Sequence, residues 1–204
     1  MKGKVLVAIP LYSEIVFHTF PFICNMLTFT QRAHPKLYLE VKTTERVWLP
    51  YAHKRLAQYF LRGGFDYLFF LEEDLIPPVD GLVTLLNHRA PASCGVYFQR
   101  SFPYAPIPYP YNPGLGCALL SREVFEKVPF DIFKNTGEHA DDDSFWKAVR
   151  GAGFEPVIDS EVCCEHIEET YKHITSEDHE KAKEKLKSSS TWVAEIQKEK
   201  VIST

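Results

Sequence analysis

Three carboxylates in a row, Glu72-Glu73-Asp74, stand at the end of the apolar run Tyr67-Leu-Phe-Phe-Leu71. Adjacent acids repel one another and lose hydration at a strand end, a cost best offset by a divalent cation, which prefers hard oxygen ligands. A second set, Asp141-Asp142-Asp143, precedes the apolar residues Phe145, Trp146 and Val149 and is closed by Gly151 and Gly153. That pattern reads as a helix opened by acids at the positive end of its dipole, with one aspartate free to cap and its neighbour free to face a cleft. Crowded carboxylates raise one another's pKa, which suits such a cluster to proton abstraction. A late histidine, His166, follows the short apolar segment Val162-Cys-Cys164, which is expected to deliver it to the same sheet edge as the first acids.

The elements that must carry these groups are legible as an α/β alternation. Lys4 to Ile9 reads as the first strand, central to a nucleotide-binding half, and stops at Pro10-Leu-Tyr-Ser-Glu14, a turn with polar groups at the strand's carboxyl end. Ile15 to Ala33 has helical spacing, with Pro21 expected in the first turn of the helix proper. Leu37 to Lys42 alternates as a strand. Ala52, Leu56, Tyr59 and Phe60 form a helical stripe that leaves His53, Lys54, Arg55 and Arg62 off it, and Gly63-Gly64 supplies the stop. Asp66 to Leu71, too short for a core helix and rich in aromatics, suits a strand buried on both faces. Ligands in such sheets sit at the carboxyl ends of strands.

Further on, Gly81–His88 is expected as a helix, Ser93–Phe98 and Leu115–Leu120 as strands, and Arg122–Val128 as a helix ending at Pro129. Phe102 to Gly116, with five prolines and three tyrosines and no periodicity, reads as a stiffened loop whose tyrosines either stack on a sugar or pack on the body. Pro156–Ile158 and Val162–Cys164 are expected as two strands. From Ser176 the chain turns to Glu and Lys at helical spacing, broken by Ser188-Ser-Ser190, which predicts two tail helices. Trp192, Val193 and Ile196 give the second a narrow apolar face for docking on the body, a partner or a membrane surface.

The 204 residues suffice for one well-buried domain, expected over 1–175, with a helical tail over 176–204. A net charge of -4 without a basic face argues against nucleic acid as a partner. Five cysteines without CxxC spacing or disulfide density point to a reducing compartment, taken as the cytoplasm. No segment approaches the roughly 18 apolar residues of a membrane span.

In order and spacing these parts resemble the GT-A-fold, nucleotide-sugar-dependent glycosyltransferases. Glu72-Glu73-Asp74 is similar to that family's DXD motif, as an E-x-D variant. Asp141-Asp142-x-x-Phe145, followed by Gly153-Phe154, resembles its ED-x-x-F motif with Asp for Glu. Gly114-Leu-Gly-Cys-Ala-Leu-Leu-Ser-Arg122-Glu-Val-Phe, then Pro129-Phe-Asp131, is similar to the segment between them. The resemblance, over residues 3 to 168, implies a mostly parallel sheet flanked by helices, Rossmann-like in its nucleotide-binding half. It also implies Mn2+ or Mg2+ at Glu72, Asp74 and His166, and donor contacts from Pro10, Tyr12, Glu14, Arg55 and Glu73. Asp142, with Asp141 and Asp143, becomes the base toward an acceptor hydroxyl on a glycan, lipid or protein, with inversion of the sugar carbon. Glu138 and His139 are weaker candidates. Two rivals are a sugar-phosphate nucleotidyltransferase, against which the absence of a Gly-rich, Arg-bearing turn after the first strand counts, and a non-catalytic carbohydrate- or nucleotide-binding module.

Overall fold

The computed structural model describes residues 2–12, 16–101, 103–107, 113–129, 132–133, 141–168 and 173–187; the side chains of Val16 and Asp141 are outside that description. Glu14, Tyr109, Tyr111, Glu138, His139 and the expected second tail helix lie outside the described residues.

A seven-stranded sheet runs in the order β2 (Leu37–Thr43), β1 (Gly3–Ile9), β3 (Tyr67–Leu71), β7 (Cys117–Ser121), β5 (Ala92–Phe98) and β6 (Pro106–Ile107), with β8 (Val157–Cys163) also pairing with β5. β2, β1 and β3 are mutually parallel. β7 enters antiparallel between β3 and β5, so β5 and β8 again point the way β3 does. The central sheet is thus mainly parallel in direction, as expected, with β7 and the short β6 running against it. β1 sits at the middle of the parallel half.

Both faces of the sheet are covered, which is why its strands read as unbroken apolar runs rather than alternating ones. Leu6, Ala8, Leu68 and Phe70 pack on one side with Leu56, Phe60, Phe145, Trp146 and Val149. These come from α2 (Leu49–Gly63) and α5 (Asp141–Gly151). Val5, Val7, Phe69 and Leu71 face the other side, against Ile23 and Met26 of α1 (Val16–Ala33) and Leu82, Leu85 and Leu86 of α3 (Gly81–Asn87). Full burial of each Leu, Val, Ile, Met or Phe side chain among these contributes roughly 1.5–3 kcal/mol.

Several local expectations need correction. The first helix begins at Val16, so Pro21 lies inside it rather than in its first turn. In α2 His53 is fully buried, with its ring 4.9 Å from that of Phe70, whereas Tyr59 of the expected stripe is 38% exposed. Tyr59 reaches sideways over β2, where its hydroxyl donates to Glu40 and Lys42 lies 4.9 Å from its ring. The two strands expected between Pro156 and Cys164 are one, β8, and His166 belongs to a separate β9 (Glu165–Ile167). The helix stop was read correctly: Gly64 adopts φ 65°, a left-handed cap. Arg122, the first residue of α4 (Arg122–Lys127), donates from Nε to the carbonyl of Phe65 at 2.7 Å and from Nη2 to that of Phe60 at 3.2 Å, which satisfies carbonyls the end of α2 would leave bare. The tail begins as α6 (Ser176–Lys187).

Candidate active site

The chain turns immediately after β3, so the three acids occupy a tight turn between β3 and β4 (Leu75–Ile76) instead of a solvated strand end. The amide of Leu75 donates back to the carbonyl of Glu72 at 3.2 Å. As a result the acids diverge: Glu72 is half-buried, and Glu73 and Asp74 are buried.

Glu73 points toward the first strand. Its Oε1 accepts the backbone N–H of Tyr12 at 2.9 Å, and its own carbonyl accepts the hydroxyl of Thr19 at 2.6 Å. Expected among the donor ligands, Glu73 ties the turn after β1 to the acid turn. Pro10 and Tyr12 therefore do lie at the carboxyl edge beside the acids, with Pro10 buried and the Tyr12 side chain 62% exposed. Arg46, which the sequence did not single out, donates from Nε to the Tyr12 carbonyl at 2.5 Å, and its guanidinium carbon lies 6.0 Å from the Tyr12 ring. Arg55 is exposed on α2, and no contact between it and the acid turn appears among the described residues.

Asp74 is aimed at β9. β4 pairs antiparallel with β9, placing Leu75 opposite His166, and the amide of Ile167 donates to the carbonyl of Asp74 at 2.9 Å. This pairing carries His166 to the acid turn across 92 residues of sequence, so the expected delivery holds, through a small second sheet, β10 (His173–Ile174)-β9-β4, rather than through the main one. His166 Nδ1 lies 2.6 Å from the carbonyl of Phe98. A carbonyl only accepts, so Nδ1 carries the proton and, in the neutral ring, Nε2 presents its lone pair. Nε2 lies 3.2 Å from Oδ2 of Asp74. Both Nε2 and Asp74 Oδ1 are buried with no hydrogen-bond partner among the described residues. Nε2 faces Oδ2, and the unsatisfied Nε2 and Oδ1 are polar atoms that a bound cation would relieve. Oδ2 also receives the guanidinium of Arg100, at 2.7 Å.

The second acid set meets the first through the Gly114–Gly116 segment. Asp142, at the start of α5, accepts the amide of Leu115 on Oδ2 at 3.2 Å. One residue on, the carbonyl of Gly116 accepts the amide of Glu72 at 2.9 Å. Between the two acid sets stands a residue that sequence reasoning missed, Tyr97 of β5, buried to 3%. Its hydroxyl accepts the amide of Gly116 at 3.2 Å, and its ring meets that of His166 edge-on at 5.7 Å. The Tyr97 phenol is pushed well above its ordinary value by burial first, then by the negative charges of Glu72, Asp142 and Asp74, against which the Gly116 amide acts. It therefore stays protonated. Its tyrosine type in a buried strand carried no signal. The glycines did: a Cβ on Gly114 would sit 1.8 Å, and one on Gly116 2.9 Å, from the Tyr97 hydroxyl. Both glycines are required by close approach.

Asp143 is half-buried beside Asp142 on α5. Behind β9, the Cys164 thiol is pushed well above its ordinary value by its hydrogen bond with Cys117 and by burial. All five cysteines are free, and the buried Cys164 thiol stays protonated and inert.

The expected three-residue metal set is only partly assembled. Asp74 and His166 converge, but among the described residues no group of three His, Cys, Asp or Glu side chains is arranged to hold a metal ion. The pair still fits a hard divalent cation that takes one or two protein ligands and completes its shell with phosphate and water, since it offers a carboxylate oxygen and an imidazole nitrogen, each buried and unsatisfied.

No family model matches the sequence, and no curated protein matches it at a significant level. Solved structures do. A197 from STIV superposes with a TM-score of 0.59 at 17% identity, covering 86% of this chain and 94% of its own. A protein described as a putative nucleotide-diphospho-sugar transferase from Desulfovibrio desulfuricans G20 gives 0.51 at 13%, covering 78% and 80%. A Drosophila beta-1,4-galactosyltransferase 7 variant, in complex with manganese, UDP-Gal and xylobiose, gives 0.51 at 17%, covering 83% and 72%. At these identities the likeness is one of fold, and the fold of this chain is of the GT-A type.

Proposed function

We propose that this GT-A-fold chain is a glycosyltransferase that moves a sugar from a nucleoside diphosphate donor to an acceptor hydroxyl. The observation that carries this reading is the meeting of two acid sets, some 70 residues apart in sequence, around the Tyr97 hydroxyl at the carboxyl edge of the sheet. Such an edge is where α/β sheets bind ligands, and a sugar transfer needs one group to manage the leaving diphosphate and another to take the acceptor proton.

In this reading Asp74 and His166 hold Mn2+ or Mg2+, with Glu72 of the same turn as the further acid proposed for the cation. The bound cation supplies positive charge against the departing diphosphate. Tyr12 and Arg46 flank the donor on the β1 side, where Glu73 fixes the backbone of Tyr12, and Glu14 and Arg55 stay as proposed donor contacts. Asp142 takes the proton of the acceptor hydroxyl, and direct displacement inverts the sugar carbon. Asp142 ranks first in its cluster because its Oδ2 contact with the Leu115 amide fixes it beside Tyr97, while Asp143 and Asp141 follow on the same turn of α5. Tyr97, held neutral, keeps a proton to donate among the three carboxylates.

The test is a thermal-shift series with nucleoside diphosphates, with and without Mn2+, followed by assay of nucleotide-sugar hydrolysis. A ligand at a hundred times its dissociation constant stabilises by about 2.7 kcal/mol. Asp74→Asn and His166→Ala are expected to keep the fold and lose the Mn2+-dependent part of the shift, His166→Ala by about tenfold in Mn2+ affinity. Wild-type binding in both variants would remove the metal assignment. Release of pyrophosphate from a nucleoside triphosphate and a sugar phosphate would identify a nucleotidyltransferase, and binding without turnover a binding module.

A further inference from the structure

Arg100 has no part in the reading above, yet it makes a close charged contact with the acid turn. Its guanidinium lies 2.7 Å from Oδ2 of Asp74, the oxygen that His166 Nε2 approaches to 3.2 Å. The two partners differ in surroundings: the Asp74 side chain is 9% exposed and that of Arg100 is 44%. The carboxylate is fixed by the β4–β9 pairing and the tight turn, whereas the guanidinium reaches it on a long, solvent-facing stem from just beyond β5. Among the described residues this guanidinium is the fixed positive charge set against the buried carboxylate.

A divalent cation on Asp74 would set a second positive charge against the first on one carboxylate, and like charges so close repel strongly in a partly desolvated site. Cation and guanidinium therefore compete for Asp74. The partner with the free stem is the one that leaves, and a diphosphate held at Asp74 is then within its reach. A guanidinium presents a planar fork of donors that matches phosphate oxygens better than a point charge does.

We propose that Arg100 is a donor-phosphate ligand held in reserve on Asp74, exchanging with the divalent cation on that carboxylate, so that cation and diphosphate binding are coupled. The proposal rests on the reading of Asp74 as the cation's carboxylate. By linkage, each ligand strengthens the other to the same degree.

The probes are Mn2+ alone and inorganic pyrophosphate, titrated calorimetrically into the full chain. For Arg100→Gln, Mn2+ alone is expected to bind about fivefold or more tightly than to wild type, because its competitor is gone. Pyrophosphate in saturating Mn2+ is expected to bind roughly tenfold or more weakly, as a charge-assisted contact is lost. Arg100→Lys keeps the competing charge without the fork: Mn2+ affinity stays at the wild-type value and pyrophosphate binding recovers only in part. A merely structural ion pair would weaken both ligands together. Unchanged or weaker Mn2+ binding in Arg100→Gln, or unchanged pyrophosphate binding, overturns the proposal. Asp74→Asn separates the two ideas. If it loses Mn2+ while Arg100→Gln alters neither affinity, the cation site stands and the exchange falls; if it keeps wild-type Mn2+ affinity, both fall.

Discussion

Tyr97 is the residue on which the assembly of the site can be tested without knowing the substrate. Tyr97→Phe removes only the hydroxyl that accepts the Gly116 amide at 3.2 Å. The amide is buried, and leaving it without an acceptor costs about 1–3 kcal/mol. The bond is long for an N–H donor to oxygen, which puts the expected loss in the lower half, about 1–2 kcal/mol. For a chain of this length that lowers Tm by roughly 2–8 °C. Gly114→Ala perturbs the same point from the other side. Its Cβ would lie 1.8 Å from the Tyr97 hydroxyl and 2.7 Å from the ring carbon bearing it, so the ring must shift, at about 1–3 kcal/mol or more. Removing the hydroxyl relieves the nearer clash and leaves the farther one. The double variant is therefore expected to be more stable than the two single losses predict by addition, by about 0.5 kcal/mol or more. Urea unfolding of the four proteins measures the cycle. Strict additivity, or a Tyr97→Phe chain as stable as wild type, would refute the account of Gly114, Gly116 and Tyr97 as one packed unit.

Asp142→Asn keeps an oxygen to accept the Leu115 amide, so its fold and its Mn2+-dependent binding of a nucleoside diphosphate are expected to survive, while transfer falls by about 10²–10⁴; half the wild-type rate in the acceptor assay would move the base elsewhere in the cluster. Asp159 gives a pH-dependent stability term. Burial pushes its carboxyl up, but the His88 ring at 2.7 Å and the amides of Glu161 and Val162 outweigh this and hold it below the ordinary value of 3.8. A pKa lowered by folding contributes stability above the unfolded value and loses it as pH falls through the folded one. The stability gap between wild type and Asp159→Asn, followed by urea unfolding, is thus expected at neutral pH and to shrink below about pH 4; a gap constant down to about pH 2 would contradict it.

Element type was legible because it is a local property. The apolar run before Glu72 is too short for a core helix and suits a strand buried on both faces, and the acids before Phe145 suit the opening of a helix whose apolar residues share one side. Both acid sets and His166 were accordingly found in sequence, and the structure brings Glu72, Asp74, Asp142 and His166 to one region around Tyr97. What each acid does there was not legible. Glu73 and Asp74 are neighbours of the same charge and similar length, and only the tight turn after β3 sends one toward Tyr12 and the other toward His166. The burial of His53 depends on Phe70 and Phe133 arriving from distant segments, which no helical periodicity in α2 encodes. Tyr97 and Arg100 enter the site because β7 inserts antiparallel between β3 and β5, setting the end of β5 beside the acid turn. The same-period apolar pattern would have suited a neighbouring parallel β5 equally well. Periodicity fixes which face of an element is buried, whereas the identity of its neighbour is decided by packing between segments far apart in the chain.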